Sequence, residues 1–86
     1  MNERPKLARR ARLRWDERDG KYMIVYPERG LVLNESAAAV VKLCDGTRTV
    51  EEIVDDLVAT SGAPGERVEA DVRELLARLA ERKLLE

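Results

Sequence analysis

The chain has 86 residues, a net charge of −1, no histidine and one cysteine; 44% of its residues are hydrophobic and 38% are charged. This length allows one domain with a modest core, and the composition is typical of a globular protein with a charged surface. Without histidine, the chain cannot form an imidazole metal site or a His-dependent catalytic triad. The five glycines are scattered singly, so no phosphate-binding loop is predicted. We therefore expect a protein that is not an enzyme and that binds no cofactor or metal ion.

The cellular location is inferred from what the sequence lacks. No apolar run reaches the roughly 18 residues that a membrane-spanning helix needs. The basic N-terminal residues are not followed by the apolar stretch of a secretory signal. A single cysteine, Cys44, excludes an internal disulfide and suits a reducing compartment, and we expect its side chain to be buried and unreactive. These features predict a cytoplasmic protein without a membrane partner.

Charge is distributed unevenly along the chain. Residues 1–30 carry nine Lys or Arg against five Asp or Glu, whereas residues 31–86 carry seven against twelve. The basic end is either an arm for an acidic partner or a solvated tail. Residues 1–9 show no periodicity, and Pro5 disfavours regular structure there. We expect a flexible arm over these residues, followed by a single domain over residues 10–86.

Three strands are predicted in the first part of the domain. Residues 10–16 alternate between apolar side chains and arginines, which predicts a half-buried strand with one basic face. The Asp-Gly pair at 19–20 is a hairpin signal, and residues 21–26 form a second strand that is apolar on both faces and therefore central. Pro27 ends this strand, because proline cannot donate into a ladder. Residues 31–33 then form a third strand, at the edge of the sheet.

Capping signals and helical spacing predict three helices after the sheet. Asn34 is placed to cap a helix over residues 35–44, in which apolar positions recur every three or four residues. A capping box starts a second helix over residues 50–60. The third helix, over residues 65–82, has valine and leucine at spacings of four, three, one and three. These elements predict an α+β fold, a winged-helix-like module in which a three-stranded antiparallel β-meander is followed by three helices.

These elements support three interpretations of function. A winged-helix module suggests a DNA-binding protein that uses residues 4–18. However, the second helix carries only acidic charges and the third mixes both signs, so neither resembles a phosphate-binding surface. Alternatively, the unpaired edge of the third strand accepts an extended peptide, with the third helix as the opposite wall. In the third interpretation Leu31 and Leu33 merely fill the core, and the protein is a structural subunit. The residues alone leave all three open.

Several short motifs are specific when they are taken together. They are Pro27-Glu28 after the second strand, Leu33-Asn34-Glu35-Ser36-Ala37 at the start of the first helix, Leu43-Cys44-Asp45-Gly46 at its end, Thr49-Val50-Glu51-Glu52-Ile53 and Leu57 in the second helix, and Asp71-Val72, Leu75 and Leu79 in the third. With these motifs at these separations, nearly the whole chain resembles the PqqD family of pyrroloquinoline quinone (PQQ) biosynthesis. That family is the founding type of the peptide-recognition domains found in ribosomal-peptide modification pathways.

The resemblance implies a peptide chaperone or adaptor without catalytic residues. Members of the family bind the precursor peptide PqqA and present it to PqqE, a radical SAM enzyme that joins a glutamate and a tyrosine side chain of the peptide. In related domains the peptide adds to the third strand and lies against the third helix. The resemblance therefore implies a peptide site here at Leu31, Val32, Leu33, Asn34, Val68, Asp71, Val72, Leu75 and Arg78. Nucleic acid is not expected as a partner.

Other properties stay open from the sequence. Asn34, Asp45 and Gly46 are expected to serve capping and turn formation, whereas Asp71 either holds its helix to a loop or bonds the peptide. The enzyme contact falls on the basic first strand, the second helix or the C-terminal tail. The protein is a monomer or a homodimer, since an exposed edge strand favours self-association. The bound peptide is PqqA or the leader of another pathway.

Overall fold

The computed structural model describes residues 4–27 and 29–86. In chain order its elements are β1 (Arg12–Asp16), β2 (Lys21–Tyr26), β3 (Arg29–Leu33), α1 (Glu35–Lys42), α2 (Val50–Ser61) and α3 (Gly65–Glu81). The strands form one antiparallel sheet in the order β1-β2-β3. The predicted α+β fold, a three-stranded meander followed by three helices, is confirmed, and the winged-helix description fits it loosely.

The first and third strands have different boundaries from those predicted. β3 begins at Arg29 rather than Leu31, because its first two residues pair with the end of β2. The turn predicted over residues 28–30 is shorter for this reason, and Glu28 lies outside the described residues. β1 starts two residues later than predicted, at Arg12. β3 is therefore longer, and β1 shorter, than the sequence pattern indicates.

α1 ends earlier than predicted. Its last helical residue is Lys42, and the N–H of the capping residue Leu43 donates to the Val40 carbonyl at 3.0 Å. This three-residue spacing tightens the last turn and ends the α-helical repeat. Gly46 has a φ of +84°, in the left-handed region that glycine adopts without strain. The glycine turn therefore lies beyond the helix end and does not itself terminate the helix.

The two faces of the sheet differ in composition. The cross-strand register places one row on the inner face, consisting of Leu13, Ile24 and Leu31. The next row lies on the outer face and consists of Arg14, Met23 and Val32. The central strand β2 carries apolar side chains on both faces, as predicted. One face of the sheet thus packs on the helices, while the other remains open.

The core lies between the inner face of the sheet and the helices. Of the five residues in the predicted apolar stripe of α3, four are buried, Val68, Val72, Leu75 and Leu79, and Leu76 is half-buried. α2 is more peripheral, since Ile53 is buried and the rest of its predicted stripe is half-buried. In residues 4–27 and 29–86, none of the helices has the length and apolar character that crossing a membrane requires.

Part of the predicted flexible arm lies against the domain. Lys6 pairs with Asp45 and Leu7 pairs with Leu85 as isolated antiparallel bridges. The Glu86 N–H donates to the Lys6 carbonyl at 2.8 Å, so the N-terminal segment and the C-terminal tail are joined through their backbones. The first three residues of the arm lie outside the described part of the chain. The division into an arm and a domain remains a prediction.

Candidate functional site

β3 is an edge strand whose outer side is unpaired within the part of the chain that the structure describes. Its other side pairs with β2 from Arg29 to Leu33, and the sheet ends at β3. In an antiparallel ladder, alternate N–H and C=O groups of an edge strand point away from the sheet. The unpaired edge of β3 therefore offers a row of main-chain donors and acceptors to an extended chain.

A groove lies beside this edge. α1 contacts both β3 and α3, whereas no Cα atom of α3 lies within 8 Å of a Cα atom of β3. A cavity of about 750 Å³ lies between the start of α1, the end of α2 and α3. Because Asn34 joins β3 directly to α1 and also lines the cavity, the cavity opens beside the end of the edge strand. β3 and α3 are therefore separate walls that α1 connects.

The structure brings together most of the predicted site residues. Six of the nine line the cavity: Asn34, Val68, Asp71, Val72, Leu75 and Arg78. The other three, Leu31, Val32 and Leu33, lie on the edge strand that leads into Asn34. The strand residues thus lie beside the cavity but are not among the residues that line it. Contact between any of these residues and a peptide remains a prediction.

The predicted residues differ in how much surface they expose. Val32 is 59% exposed on the outer face of the sheet, whereas Leu33 is 5% exposed on the inner face. On α3, Val72 has no exposed surface, while Val68 and Leu75 retain 8% and 7%. Val72 therefore forms the base of the apolar wall, and Val68 and Leu75 give the wall its accessible surface.

Both signs of charge surround the apolar wall of α3. Arg78 donates to the carboxylate of Glu74, one turn earlier, at 3.3 Å. Arg67 and Asp71 are exposed, line the cavity and lie four residues apart on the same face of the helix. Within the described residues, the Asp71 carboxylate has no hydrogen bond that holds α3 to a loop. Asp71 is therefore available to a bound chain.

The sequence analysis missed the part of the cavity that α1 and α2 supply. α1 adds Glu35, Ser36, Ala37, Ala39 and Val40, the end of α2 adds Leu57, Thr60 and Ser61, and Ala63 follows just after α2. A signal for the α1 residues was present, because Asn34 both follows the edge strand and caps the helix, so the first turn of α1 must lie beside that edge. The α2 residues reach the cavity only through helix packing, which no local sequence pattern reports.

The motif residues that flank α1 form local hydrogen bonds, as expected. The Asn34 side chain accepts from the Ala37 N–H at 2.7 Å and caps the helix. Asp45 accepts from the Thr47 N–H at 3.0 Å and pairs with Arg48 at 3.1 Å. The hydrogen bonds from Thr47, together with the Arg48 charge, hold the pKa of Asp45 below its ordinary value of 3.8. These contacts fix the turns before and after α1.

Cys44 has no chemical role in this arrangement. Its side chain is 4% exposed, and its Sγ donates to the Val40 carbonyl at 3.2 Å, so the predicted burial is confirmed. Burial, with a smaller effect of the Asp45 charge, raises the pKa of Cys44 to about 11. The thiolate that would act as a nucleophile is therefore scarce at neutral pH. The described ranges contain no cluster of three or more acidic, His or Cys side chains that could hold a metal ion.

The profile of one protein family covers the edge strand, the groove and the rest of the helices. This profile, coenzyme PQQ synthesis protein D (PqqD), matches residues 21–85. The chain belongs to the PqqD family. The matched region contains β2, β3 and all three helices, so both walls described above lie within the part that defines the family.

Curated relatives of this PqqD-family chain come from several bacteria. The chain is 46% identical over 65 residues to a PqqA binding protein from Methylococcus capsulatus, a match that covers 76% of this chain and 68% of that protein. It is 40% identical over 82 residues to a PqqA binding protein from Bradyrhizobium diazoefficiens, covering 95% and 80% of the two chains. It is also 43% identical over 82 residues to a bifunctional coenzyme PQQ synthesis protein C/D from Methylorubrum extorquens, but there it spans only 22% of the relative's length.

Solved structures share the same fold. The PqqD portion of Methylobacterium extorquens PqqCD, described as a functional, stand-alone recognition element for ribosomally synthesised peptides, matches with a TM-score of 0.83 at 43% identity, covering 95% of this chain and 87% of that one. PqqD from Xanthomonas campestris matches with a TM-score of 0.66 at 31% identity, covering 93% and 89%. The PqqD fold is therefore common to this chain and to both structures.

Proposed function

We propose that this PqqD-family chain is a cytoplasmic peptide chaperone of PQQ biosynthesis. It binds the precursor peptide PqqA by strand addition to β3, presents the peptide to the radical SAM enzyme PqqE and catalyses no reaction itself. The observation that carries the proposal is the bare edge of β3 beside an apolar groove on α3. Relatives that are 40% and 46% identical are PqqA binding proteins, which supports PqqA as the peptide.

Affinity in this mechanism comes from the backbone of β3. Alternate residues within 31–33 present main-chain groups to the peptide, which becomes a fourth strand of the sheet. Each main-chain hydrogen bond contributes about 0.5–1.5 kcal/mol net, so several are needed for stable binding. Because backbone groups are the same in every residue, this part of the site gives affinity without selecting a sequence.

Selectivity in this mechanism comes from α3. Side chains of an added strand point alternately to the two faces of the sheet, so every second one faces the groove. Val68 and Leu75 offer it an apolar surface, while Asp71 and Arg78 offer charge on the same helix. The site therefore favours a peptide in which every second residue faces the groove, and in which these groove-facing side chains include both apolar and charged ones.

An amide NMR titration of the isotope-labelled chain with synthetic PqqA tests the proposal. We expect shifts at residues 31–34 and along the groove face of α3, and none at the N-terminal segment over residues 5–8, whose backbone is already bonded. A scan of PqqA peptides that carry one N-methylated amide each is the matched test of strand addition. Because alternate amides face β3, binding should be lost at every second position.

Other outcomes of the titration have distinct meanings. Shifts that cluster away from β3 and α3 would support PqqA binding but would show that the proposed site is wrong. No shifts at high peptide concentration, combined with DNA binding that falls steeply with salt, would instead support the winged-helix regulator that uses residues 4–18. A response to another pathway's leader, but not to PqqA, would retain the mechanism and change the ligand.

A further inference from the structure

The outer face of the sheet carries a second surface, which we call the outer patch. It consists of Arg12, Arg14, Met23, Val25 and Val32. Arg12 and Arg14 are exposed on β1, and Val32 is 59% exposed on β3. The patch therefore changes from basic on β1 to apolar on β2 and β3, where Met23 and Val25 are half-buried.

The apolar half of the patch is continuous because of a glycine. A Cβ atom at Gly30 would lie only 2.6 Å from the Met23 Cε, so the Met23 side chain lies across the backbone of β3 at that residue. Met23 is also directly opposite Val32 in the ladder. The missing side chain at Gly30 thus leaves room for the Met23 side chain on the same face of the sheet as Val32.

The basic half of the patch has no neutralising partner within residues 4–27 and 29–86. The ion pairs of the described chain lie on helices, loops and the chain ends, and none involves Arg12 or Arg14. Asp16 is the acidic residue on the same face of β1, but its carboxylate accepts the N–H of Arg18 at 2.9 Å in the hairpin turn. The patch is therefore an apolar surface with a net positive flank.

Parts of the other two candidate surfaces for an enzyme contact already make contacts within the chain. On α2, Glu52 bonds the Thr49 N–H at 2.8 Å and Asp56 pairs with Arg48 at 3.4 Å. The C-terminal tail pairs with the N-terminal segment through Leu85. Of the three candidate surfaces, the outer patch combines an exposed apolar side chain, Val32, with two arginines that form no ion pair in the described structure.

Building on the proposed function, we propose that the outer patch docks the enzyme that modifies the bound peptide. The partner surface is apolar, with carboxylates positioned opposite Arg12 and Arg14. The two sites are continuous at β3, because Val32 points to the outer face while its backbone lies on the edge that receives the peptide. Outward side chains of the added strand then extend the patch, so the enzyme contacts chaperone and peptide together.

The test measures the binding of the chain to immobilised PqqE, with and without saturating synthetic PqqA, at two salt concentrations. Arg12→Glu/Arg14→Glu should weaken enzyme binding about tenfold or more, mainly by slowing association, and should reduce its salt dependence. Met23→Gln, which keeps side-chain length and adds polarity, should weaken it severalfold. The control Arg9→Glu/Arg82→Glu makes the same change of net charge at exposed positions outside the patch and should bind as the original chain does.

Peptide affinity, followed separately by fluorescence anisotropy, distinguishes the two proposals. Unchanged PqqA affinity in all three variants, with enzyme binding lost only in the patch variants, supports the docking surface. Enzyme binding unaffected by both patch variants overturns it and leaves the peptide site standing. If the original chain binds no PqqA, the proposed function itself is wrong. A wild-type dimer that the patch variants dissociate assigns the patch to a second copy and also overturns enzyme docking.

Discussion

The N-terminal segment over residues 5–8 and the edge strand β3 are both short and extended, but their backbones are used differently. In the segment, the Ala8 N–H donates to the Leu84 carbonyl at 2.6 Å, and the Pro5 carbonyl accepts from Gly46 at 3.0 Å. β3 is bonded on one side only within the described chain. Internal bonding makes the first segment a strap that joins the chain ends, whereas the open side of β3 is free to bind a partner.

A proline in β3 should give the largest effect on binding. If the Val32 N–H points outward, Val32→Pro removes a donor to the peptide and leaves the β2 ladder intact. We expect PqqA affinity to fall about tenfold or more, because a main-chain bond is lost and its acceptor on the peptide stays unsatisfied. Fluorescence anisotropy with labelled PqqA measures the loss, and circular dichroism checks that the variant is folded.

The matched control is Ala8→Pro, which removes the N–H that donates to Leu84. This variant should lose about 1–3 kcal/mol of unfolding free energy, since the Leu84 carbonyl loses its partner, and it should bind PqqA normally where it is folded. Unchanged peptide affinity in folded Val32→Pro would contradict the outward placement of the Val32 N–H. Loss of peptide binding in folded Ala8→Pro would show that the N-terminal segment also contributes to peptide binding.

The two helix caps sharpen the contrast between structural and binding residues. Asn34 accepts from the Ala37 N–H at 2.7 Å, and Thr49 accepts from the Glu52 N–H at 3.1 Å. Asn34→Ala and Thr49→Ala should each lower the unfolding free energy by about 1 kcal/mol. Only Asn34 lines the cavity, so only Asn34→Ala should weaken PqqA binding. Chemical denaturation and anisotropy on both variants measure the two effects.

Equal losses of peptide affinity in both cap variants would mean that binding follows overall stability and not the groove. If both variants bind PqqA as tightly as the original chain does, Asn34 serves only to cap α1.

Local rules predicted most of the fold. The hairpin signal, the caps at Asn34 and Thr49 and the apolar stripe of α3 each depend on neighbouring residues, and each is present in the structure. The start of β3 was predicted two residues late, because Arg29 and Gly30 have low apparent strand character and join the ladder only through pairing with β2. The apolar pattern that marked residues 31–33 does not report this pairing across the turn.

The candidate site was less predictable than the fold. Helical spacing placed Val68, Val72 and Leu75 on one face, but it did not indicate that Val72 is fully buried while the other two retain some exposed surface. The bonding of Lys6 and Leu7 to residues near the C-terminus also went unpredicted, because Pro5 and the absence of periodicity favour an unstructured arm. Both misses concern contacts between residues far apart in sequence.

Asp71 tests whether charge on α3 contributes to peptide selection. Asp71→Asn removes an exposed charge that lines the cavity and should change PqqA affinity about two- to fivefold, the range of a single exposed ion pair. The control Asp55→Asn makes the same change on α2, away from the cavity, and should leave the affinity unchanged. Titration calorimetry at low and high salt measures the effect, which salt should reduce. Identical affinities in the two variants would remove Asp71 from the site.

The smallest expected effect concerns acid stability at the turn after α1. The pKa of Asp45 is lowered by hydrogen bonds from Thr47 and by Arg48, so the folded state favours the charged carboxylate more than the unfolded state does. This contribution to stability is present above the ordinary pKa of 3.8 and is lost as pH falls through the folded value. Asp45→Asn should therefore be less stable than the original chain near neutral pH, and the difference should shrink in acid.

Thermal unfolding of the Asp45→Asn variant and the original chain, followed from neutral pH into acid, measures that difference. The control Glu81→Gln removes a carboxylate from the end of α3 without touching the turn and should not reproduce the pattern. A difference that stays constant into strong acid would show that Asp45 stabilises the turn through hydrogen bonds that the protonated acid retains and the amide does not make. The charge of Asp45 would then contribute nothing to the stability of the turn.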